Sequence, residues 1–526
     1  MMELVKKQIH MNRWKGKTTT QITMDDDFIV PDAMDDMAQV VLDSGNVYME
    51  STKSQGEKVI VKGKMDFQIL YRKEGGGLQS LGGSVPFEET VNVAGLTERD
   101  DISVSGELED LNAGMINSRK LSIKAIVTIE VRTETIEDVE AAVEVGDSGG
   151  SEYGRIQVET LKKTLDVAAI ALRRKDTYRI KETLTLPGNK PDMDQILWSE
   201  MGLKGALARP LDGKVHLEGE LTVFLIYSGD GEGSPVQWLE ENIPFSGEVE
   251  LDDAVEEMIP MIGLRLVHKN LEAKPDYDGE MRELEIDGVI ELDMKLYEEK
   301  KLELLSDLYS TNRELVLDTS MACFDQILTK NTGKCKVAEK VNLPHGGKVL
   351  QICHSTGTVR IDETQWREDG LDIDGVLEVT LLYLTADDTE PVSAHTQVLP
   401  FHYTSEAKGI NETSMYQLNS GLEQLTAVML GGDTAEIKAL ITLELLVLQP
   451  VCEPVIVRAD SQPMNMERLQ KMPGIVGYIV QPGDTLWKIA KKFHTTVDNM
   501  VAANELTDTQ IRPGDRLILV KEIAQG

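Results

Sequence analysis

One eleven-residue pattern occurs three times in this chain and fixes how the rest can be arranged. Residues 61–71 read VKGKMDFQILY, residues 217–227 read LEGELTVFLIY, and residues 373–383 read IDGVLEVTLLY. The glycines Gly63, Gly219 and Gly375 stand 156 residues apart in both intervals, and so do the tyrosines Tyr71, Tyr227 and Tyr383. Neighbouring signals keep the phase. A hydrophobic residue and a proline lie upstream at Val30-Pro31, Leu186-Pro187 and Leu343-Pro344; a proline and a phenylalanine lie downstream at Pro86-Phe87, Pro244-Phe245 and Pro400-Phe401. A second apolar run begins at Leu121, Leu284 and Ala435. A period of this length marks copies of one domain.

Within each copy the pattern alternates with period two and ends in an almost unbroken apolar stretch, which reads as strands covered on one or both faces. The fold class expected is mainly β (α+β), with three tandem sandwich- or barrel-like repeats and a smaller module behind them. The boundaries read as 1–144, 155–301 and 314–449 for the repeats, 450–476 for a proline-bearing tether, and 477–522 for the last module. An interior strand glycine that recurs points to a bulge or a close backbone approach. The tyrosine is expected to bury its ring and keep its hydroxyl at the rim.

Pro31, with Asp32, Asp35 and Asp36 behind it and Met34, Met37 and Val41 spaced along one side, predicts a short helix. The equivalent segment from Pro187 predicts another, and the one from Pro344 a weaker one because of its paired glycines. The segments 158–172 and 315–328 are expected at the front of the second and third copies, each just before its first strand. The loops at 74–77, 228–234 and 385–390 look like phosphate or calcium motifs on a scan. They join two strands and carry acids without the lysine or ligand register such sites need, so they read as hairpin tips. Residues 145–154 read as a flexible joint, and a stiffer one is expected near 303–313.

The chain has 54 basic and 90 acidic residues, a formal charge of −36. A surface of that sign repels nucleic acid and anionic lipid, which sets both aside as partners. No stretch approaches the roughly 18 uninterrupted apolar residues of a membrane span, and no leader is evident near the first residue. The expectation is a protein of the cytoplasm. The four cysteines, Cys323, Cys335, Cys353 and Cys452, lack CxxC spacing, so buried or idle thiols are expected rather than a disulfide framework or a zinc site. His345, His354 and Cys353 lie close in sequence without a fourth ligand. Acid pairs are frequent but none recurs in phase beside a base, and no nucleophile elbow or P-loop is present. The reading is non-enzymatic, with no catalytic residue, no cofactor and no metal.

The last fifty or so residues change character. A strand at 478–480, a Pro482-Gly483 turn, a helix capped by Asp484 or Thr485, a second helix from about Thr496, a Pro513-Gly514 turn and a strand at 517–520 make a β-α-α-β unit. Leu486, Ile489, Ala490 and Phe493 give the first helix its buried face. These residues, YIVQPGDTLWKIAKKF followed by AANELTDTQIRPGDRLIL, resemble a LysM module. That resemblance implies a shallow groove for N-acetylglucosamine glycans between two loops, here Gly483, Asp484, Thr485 and Leu486 on one side and Ile511, Arg512, Pro513 and Gly514 on the other. Trp487 on the first helix is a candidate exposed contact, or an edge-of-core residue.

Tandem β-rich repeats ending in one LysM resemble the SPOCS (spore coat) domain proteins of endospore-forming Firmicutes. The resemblance implies a structural adaptor of the spore envelope, working in the mother-cell cytoplasm at the forespore surface. Its LysM would dock on a coat morphogenetic ATPase, and its repeats would recruit other coat proteins or self-associate through exposed edges. The alternative is a protein that binds peptidoglycan glycan.

Overall fold

A computed structural model describes residues 2–146, 156–230, 236–344, 349–387, 390–464 and 473–520. Parts of the 74–77, 228–234 and 385–390 group, of the 145–154 joint and of the Pro344 segment fall outside these, as does His345.

Each repeat contributes six strands. The first has β1 (Leu4–Ile29), β2 (Met37–Gln55), β3 (Lys58–Lys73), β4 (Leu78–Asn92), β5 (Asp101–Asn117) and β6 (Lys120–Val145). The second has β7 (Val158–Thr185), β8 (Met193–Leu211), β9 (Lys214–Gly229), β10 (Val236–Glu250), β11 (Ile259–Pro275) and β12 (Met281–Ser310). The third has β13 (Arg313–Asn342), β14 (Val349–Arg367), β15 (Gly370–Thr385), β16 (Val392–Glu406), β17 (Met415–Gly431) and β18 (Thr434–Pro463). Every repeat forms two antiparallel three-stranded sheets of the same order, β2-β3-β4 with β1-β6-β5 and their equivalents. The repeats are therefore mainly β sandwiches, as their alternation predicts.

The repeated motifs build these sandwiches. Val59, Val61, Met65, Phe67, Ile69 and Tyr71 on β3 face Leu121, Ile123, Val127, Ile129 and Val131 on β6 in one core, and the other two repeats have matching cores. The recurrent glycine is a close approach: the rings of Phe87, Phe245 and Phe401 lie over Gly63, Gly219 and Gly375, each the cross-strand partner of its phenylalanine. The prolines before those rings sit on β4, β10 and β16, edge strands that need not donate a hydrogen bond on their open side. Tyr71 donates its hydroxyl hydrogen to Gln79 Oε1 at 2.8 Å, and Tyr227 donates to the Pro191 carbonyl at 3.2 Å.

The expected helices after Pro31 and Pro187 are absent; those residues make a short turn and then enter β2 and β8. Within the segments expected as joint and tether, 303–310 and 450–463 are strand, since β12 continues to Ser310 and β18 to Pro463, while residues 465–472 of the tether lie outside the described residues. The segments 158–172 and 315–328 lie inside β7 and β13 rather than ahead of them.

These additions form a second level of structure. The first strand of every repeat has a bulge, at Lys15, Ala171 and Leu328, each sixteen residues before the repeat's proline. The third strand of the sheet stops at the same level, pairing no further than Glu134, Tyr297 and Leu448. A bulge bends a strand, so two strands leave each sandwich as a ribbon. The three ribbons pack together through Ile9, Met11, Ala141, Val167, Ala169, Leu302, Leu304, Phe324 and Val455. Met2, Ala142, Leu305, Leu308, Ile456 and Ala459 close their far end. A further shared cluster joins Leu70, Trp198, Phe224, Ile226 and Leu382. Three copies thus share apolar cores at a common centre.

Candidate functional site

The terminal module contains β19 (Ile475–Ile479), α1 (Leu486–Phe493), α2 (Val497–Ala503) and β20 (Arg516–Val520), with β19 and β20 antiparallel. Thr485 caps α1 by accepting from the Lys488 amide at 3.2 Å, and Thr496 caps α2 through the Asn499 amide at 3.1 Å. Leu486, Ile489, Ala490, Met500, Leu517 and Leu519 fill the core.

The two loops meet at Val480. The Gly514 amide donates to the Val480 carbonyl and the Val480 amide to the Asp515 carbonyl, both at 2.9 Å. Gly483 and Gly514 both take positive φ, +86° and +95°, which makes glycine the suitable residue at these turns. Asp484 Oδ2 accepts from the Gln481 amide and from the Tyr478 hydroxyl, each at 2.8 Å. The amide and then the phenol hold the Asp484 carboxyl below its ordinary range. In the second loop the Arg512 amide donates to Asp515 Oδ2 at 2.7 Å.

The sequence-predicted residues divide into two groups. Gly483, Thr485, Arg512, Pro513 and Gly514 are exposed, while Asp484 and Ile511 are half-buried. Leu486 is only 3 % exposed and belongs to the core. Trp487 faces another part of the chain: its Nε1 donates to Asp307 Oδ2 at 2.8 Å, and its ring meets Tyr309 edge-on at 4.8 Å. The sequence reading missed Asp307 and Tyr309, because nothing local distinguishes them in an acidic β-rich stretch. The face of β19 and β20 turned away from the helices exposes Ile475, Ile479, Ile518 and Val520. The segment from Tyr478 to Val520 has five basic and five acidic residues, so the charge of −36 lies outside it.

Elsewhere two buried titratable groups, Glu134 and His354, join repeats. A cleft of about 390 Å³ lies between all three repeats. On its wall Glu134 receives Lys295 at 2.5 Å and Arg173 at 3.4 Å. Burial pushes the Glu134 carboxyl up, but the two cations outweigh it and leave it below its ordinary value. His354, 7 % exposed, stacks on Phe224 with centroids 4.0 Å apart. Its Nδ1 is 3.3 Å from Glu240 and its Nε2 3.6 Å from Glu200. Burial opposes its charge, yet the two carboxylates push its pKa up to about 9. Cys353 and Cys335 are buried thiols, and burial raises Cys353 to about 12. Cys323 and Cys452, in contrast to the expectation of idle thiols, face each other across β13 and β18 as a disulfide. Their separation of 129 residues hides the pairing from any local pattern. Among the described residues no cluster of His, Cys, Asp and Glu fits a metal ion, and no helix is long and apolar enough to cross a membrane.

Comparison with known families matches both the repeats and the terminal module. The LysM domain matches residues 478–520. The domain described as SipL, SPOCS domain matches three times, at 36–116, 192–274 and 348–430. Each SPOCS match starts just before the second strand of its repeat and ends within the fifth, so the ribbon strands lie outside it. No curated protein matches the chain, and no solved structure does.

Proposed function

Because this is a SipL-like protein of three SPOCS domains and a LysM domain, tied by those families to the sporulation coat and equipped with a glycan-binding type of module, we propose that it is a non-enzymatic adaptor in coat assembly. Its LysM docks on a coat morphogenetic ATPase at the forespore surface, within the mother cell, and its repeats recruit other coat proteins. The observation that carries this reading is the contrast between the two parts of the molecule. The repeats form a large acidic body, whereas the LysM is charge-balanced and displays two exposed loops and, on the sheet face turned away from its helices, four exposed aliphatic side chains. An apolar, neutral surface of that kind suits a protein partner.

The second reading keeps the same loops and gives them N-acetylglucosamine glycan. It is favoured by the exposure of Gly483, Thr485, Arg512, Pro513 and Gly514, the positions that the LysM resemblance assigns to the groove.

Co-precipitation from sporulating-cell extract separates the two. The full chain is compared with a truncation ending at Met464, after the last residue of β18. An ATPase captured by the full chain and lost with the LysM supports docking. Capture of the same proteins by both chains overturns it, and pelleting of the full chain with sacculi then establishes the glycan reading.

A further inference from the structure

The LysM is held against the repeats by hydrogen bonds to Asp307 and Tyr309, at one of three nearly equivalent places. The far end of each ribbon carries a second bulge, at Val143, Ser306 and Val457, twenty-two residues after Leu121, Leu284 and Ala435. The residues just beyond are structural counterparts: Glu144, Asp307 and Arg458 follow the bulge, and Gly146, Tyr309 and Asp460 stand two positions later. All three ends meet in one apolar cluster.

We infer that Asp307 and Tyr309 form a seat for the LysM on the second repeat, built into the chain to fix the direction in which the module faces. Asp307 divides its oxygens between two LysM donors, Trp487 Nε1 at 2.8 Å and Lys491 Nζ at 2.6 Å. Tyr309 donates its hydroxyl to the Thr495 carbonyl at 2.8 Å and belongs to the LysM core cluster rather than to its own sandwich. It is 4 % exposed although it lies at the end of a two-stranded ribbon. Much of what covers that ring is the module itself.

The other two ends lack what the seat requires. In the first repeat Gly146 has no ring to meet Trp487. In the third, Arg458 brings positive charge towards Lys491 and is already paired with Asp460 at 2.6 Å. Eleven residues separate Pro463 from Ile475, a length that spans up to about 35–40 Å when extended. Chain length does not choose among ends that converge on one cluster, so the side chains make the choice. Seating commits the α1 face to the second repeat and leaves the loops at 483–485 and 511–514 outward. Trp487 then acts in cis, as a positioning residue, and the first and third repeats keep their ribbon ends clear of the module.

Only the consequence for partner docking rests on the function proposed above; the seat is an intrachain contact and is tested without a partner. Small-angle scattering and hydrogen exchange are measured on the full wild-type chain, on Asp307→Lys, on Lys491→Glu and on the double charge swap. Each single reversal is expected to lengthen the particle's maximum dimension and to speed exchange of the 486–495 amides at least tenfold. The swap is expected to recover most of both. A wild-type curve that already requires a detached module overturns the inference, as does a pair of single reversals that change neither quantity. Lys491→Glu lies on the surface of α1, so it tests the seat even where Asp307→Lys disturbs the ribbon. Capture of the ATPase by a detached but folded LysM leaves the function intact whatever the seat shows.

Discussion

Phe87 stands directly across the ladder from Gly63, and a β-carbon on that glycine would lie 2.5 Å from both the ring tip and the Tyr48 carbonyl oxygen. The same pairing recurs for Gly219 with Phe245 and for Gly375 with Phe401. The backbone oxygen cannot move away, since it belongs to the neighbouring strand. Gly63→Val should therefore destabilise the first sandwich by about 1–3 kcal/mol, as overpacking does. Differential scanning calorimetry should show an earlier onset of unfolding, and hydrogen exchange should rise first in β3 and β4. Unchanged exchange there would show that the ring swings aside at little cost.

That pairing also explains which parts of the fold were legible. Glycine, proline and phenylalanine at a fixed period report contacts within one hairpin, so repeat number and strand character followed from them. The helix expected after Pro31 failed because β2 has bulges at Ala38 and Val41. Each bulge shifts the alternation by one residue, and Met37 and Val41, though in extended chain, then fall at helical spacing from Met34 in the turn. The strand over 450–463 was read as tether for a related reason. Pro450, Pro454 and Pro463 sit opposite Asp325, Met321 and Arg313 in a ribbon with no third strand. Both of its strands are edges, where proline is tolerated. The loops of the LysM were legible because their glycines need positive φ; Asp307 was not, because its partners come from 180 and 184 residues away.

His354 links the third repeat to the second between Glu200 and Glu240. Its folded pKa of about 9 lies above the ordinary 6.5, so its stabilisation is fully present below pH 6.5 and is lost as pH rises through about 9. The shift corresponds to about 3 kcal/mol. Lys269, whose pKa burial lowers and the Glu200 charge partly restores, works in the opposite direction as it deprotonates. The informative quantity is the difference between variants. Wild type should lose thermal stability relative to His354→Gln between pH 7 and 9.5, and parallel curves would remove His354 from the linkage.

Glu134 joins the first repeat to Lys295 and Arg173 of the second. Both Glu134 and Lys295 are largely buried, so Glu134→Ala strands a cation in a desolvated place and should cost about 3–5 kcal/mol. Replacing both, as Glu134→Leu with Lys295→Met, should recover most of that loss. The comparison uses melting temperatures of the full chain, and a double variant no more stable than Glu134→Ala would contradict it.

Cys323 and Cys452 are directly opposed on the third ribbon, whereas Cys335 and Cys353 are buried thiols. Protein purified without reductant and then denatured should titrate two thiols, and its digest should contain the 323–452 cross-linked peptide. Reduction should lower the melting temperature, because the bond closes a long loop and such bonds typically contribute about 2–4 kcal/mol. Four thiols in the oxidised preparation would show that the ribbon holds the pair together without the bond.

Leu486 and Arg512 were assigned to one groove, yet they should respond differently to a charge. Leu486 is 3 % exposed and packs among Ile489, Ala490 and Leu517, so Leu486→Asp places an unpaired carboxylate in the module's core. Loss of binding in that variant would report unfolding of the LysM. Arg512 exposes its side chain, while its backbone amide donates to Asp515 Oδ2 and its carbonyl accepts from the Asp515 amide. Arg512→Glu should preserve the module's amide exchange and weaken capture of the partner about tenfold or more if the loops make the contact. Joined with Ile518→Asp on the opposite face of the sheet, it divides the surface in two. Loss confined to Arg512→Glu places the partner at the loops, and loss confined to Ile518→Asp moves it to the aliphatic face of β19 and β20, where Ile475, Ile479 and Val520 are the next residues to change.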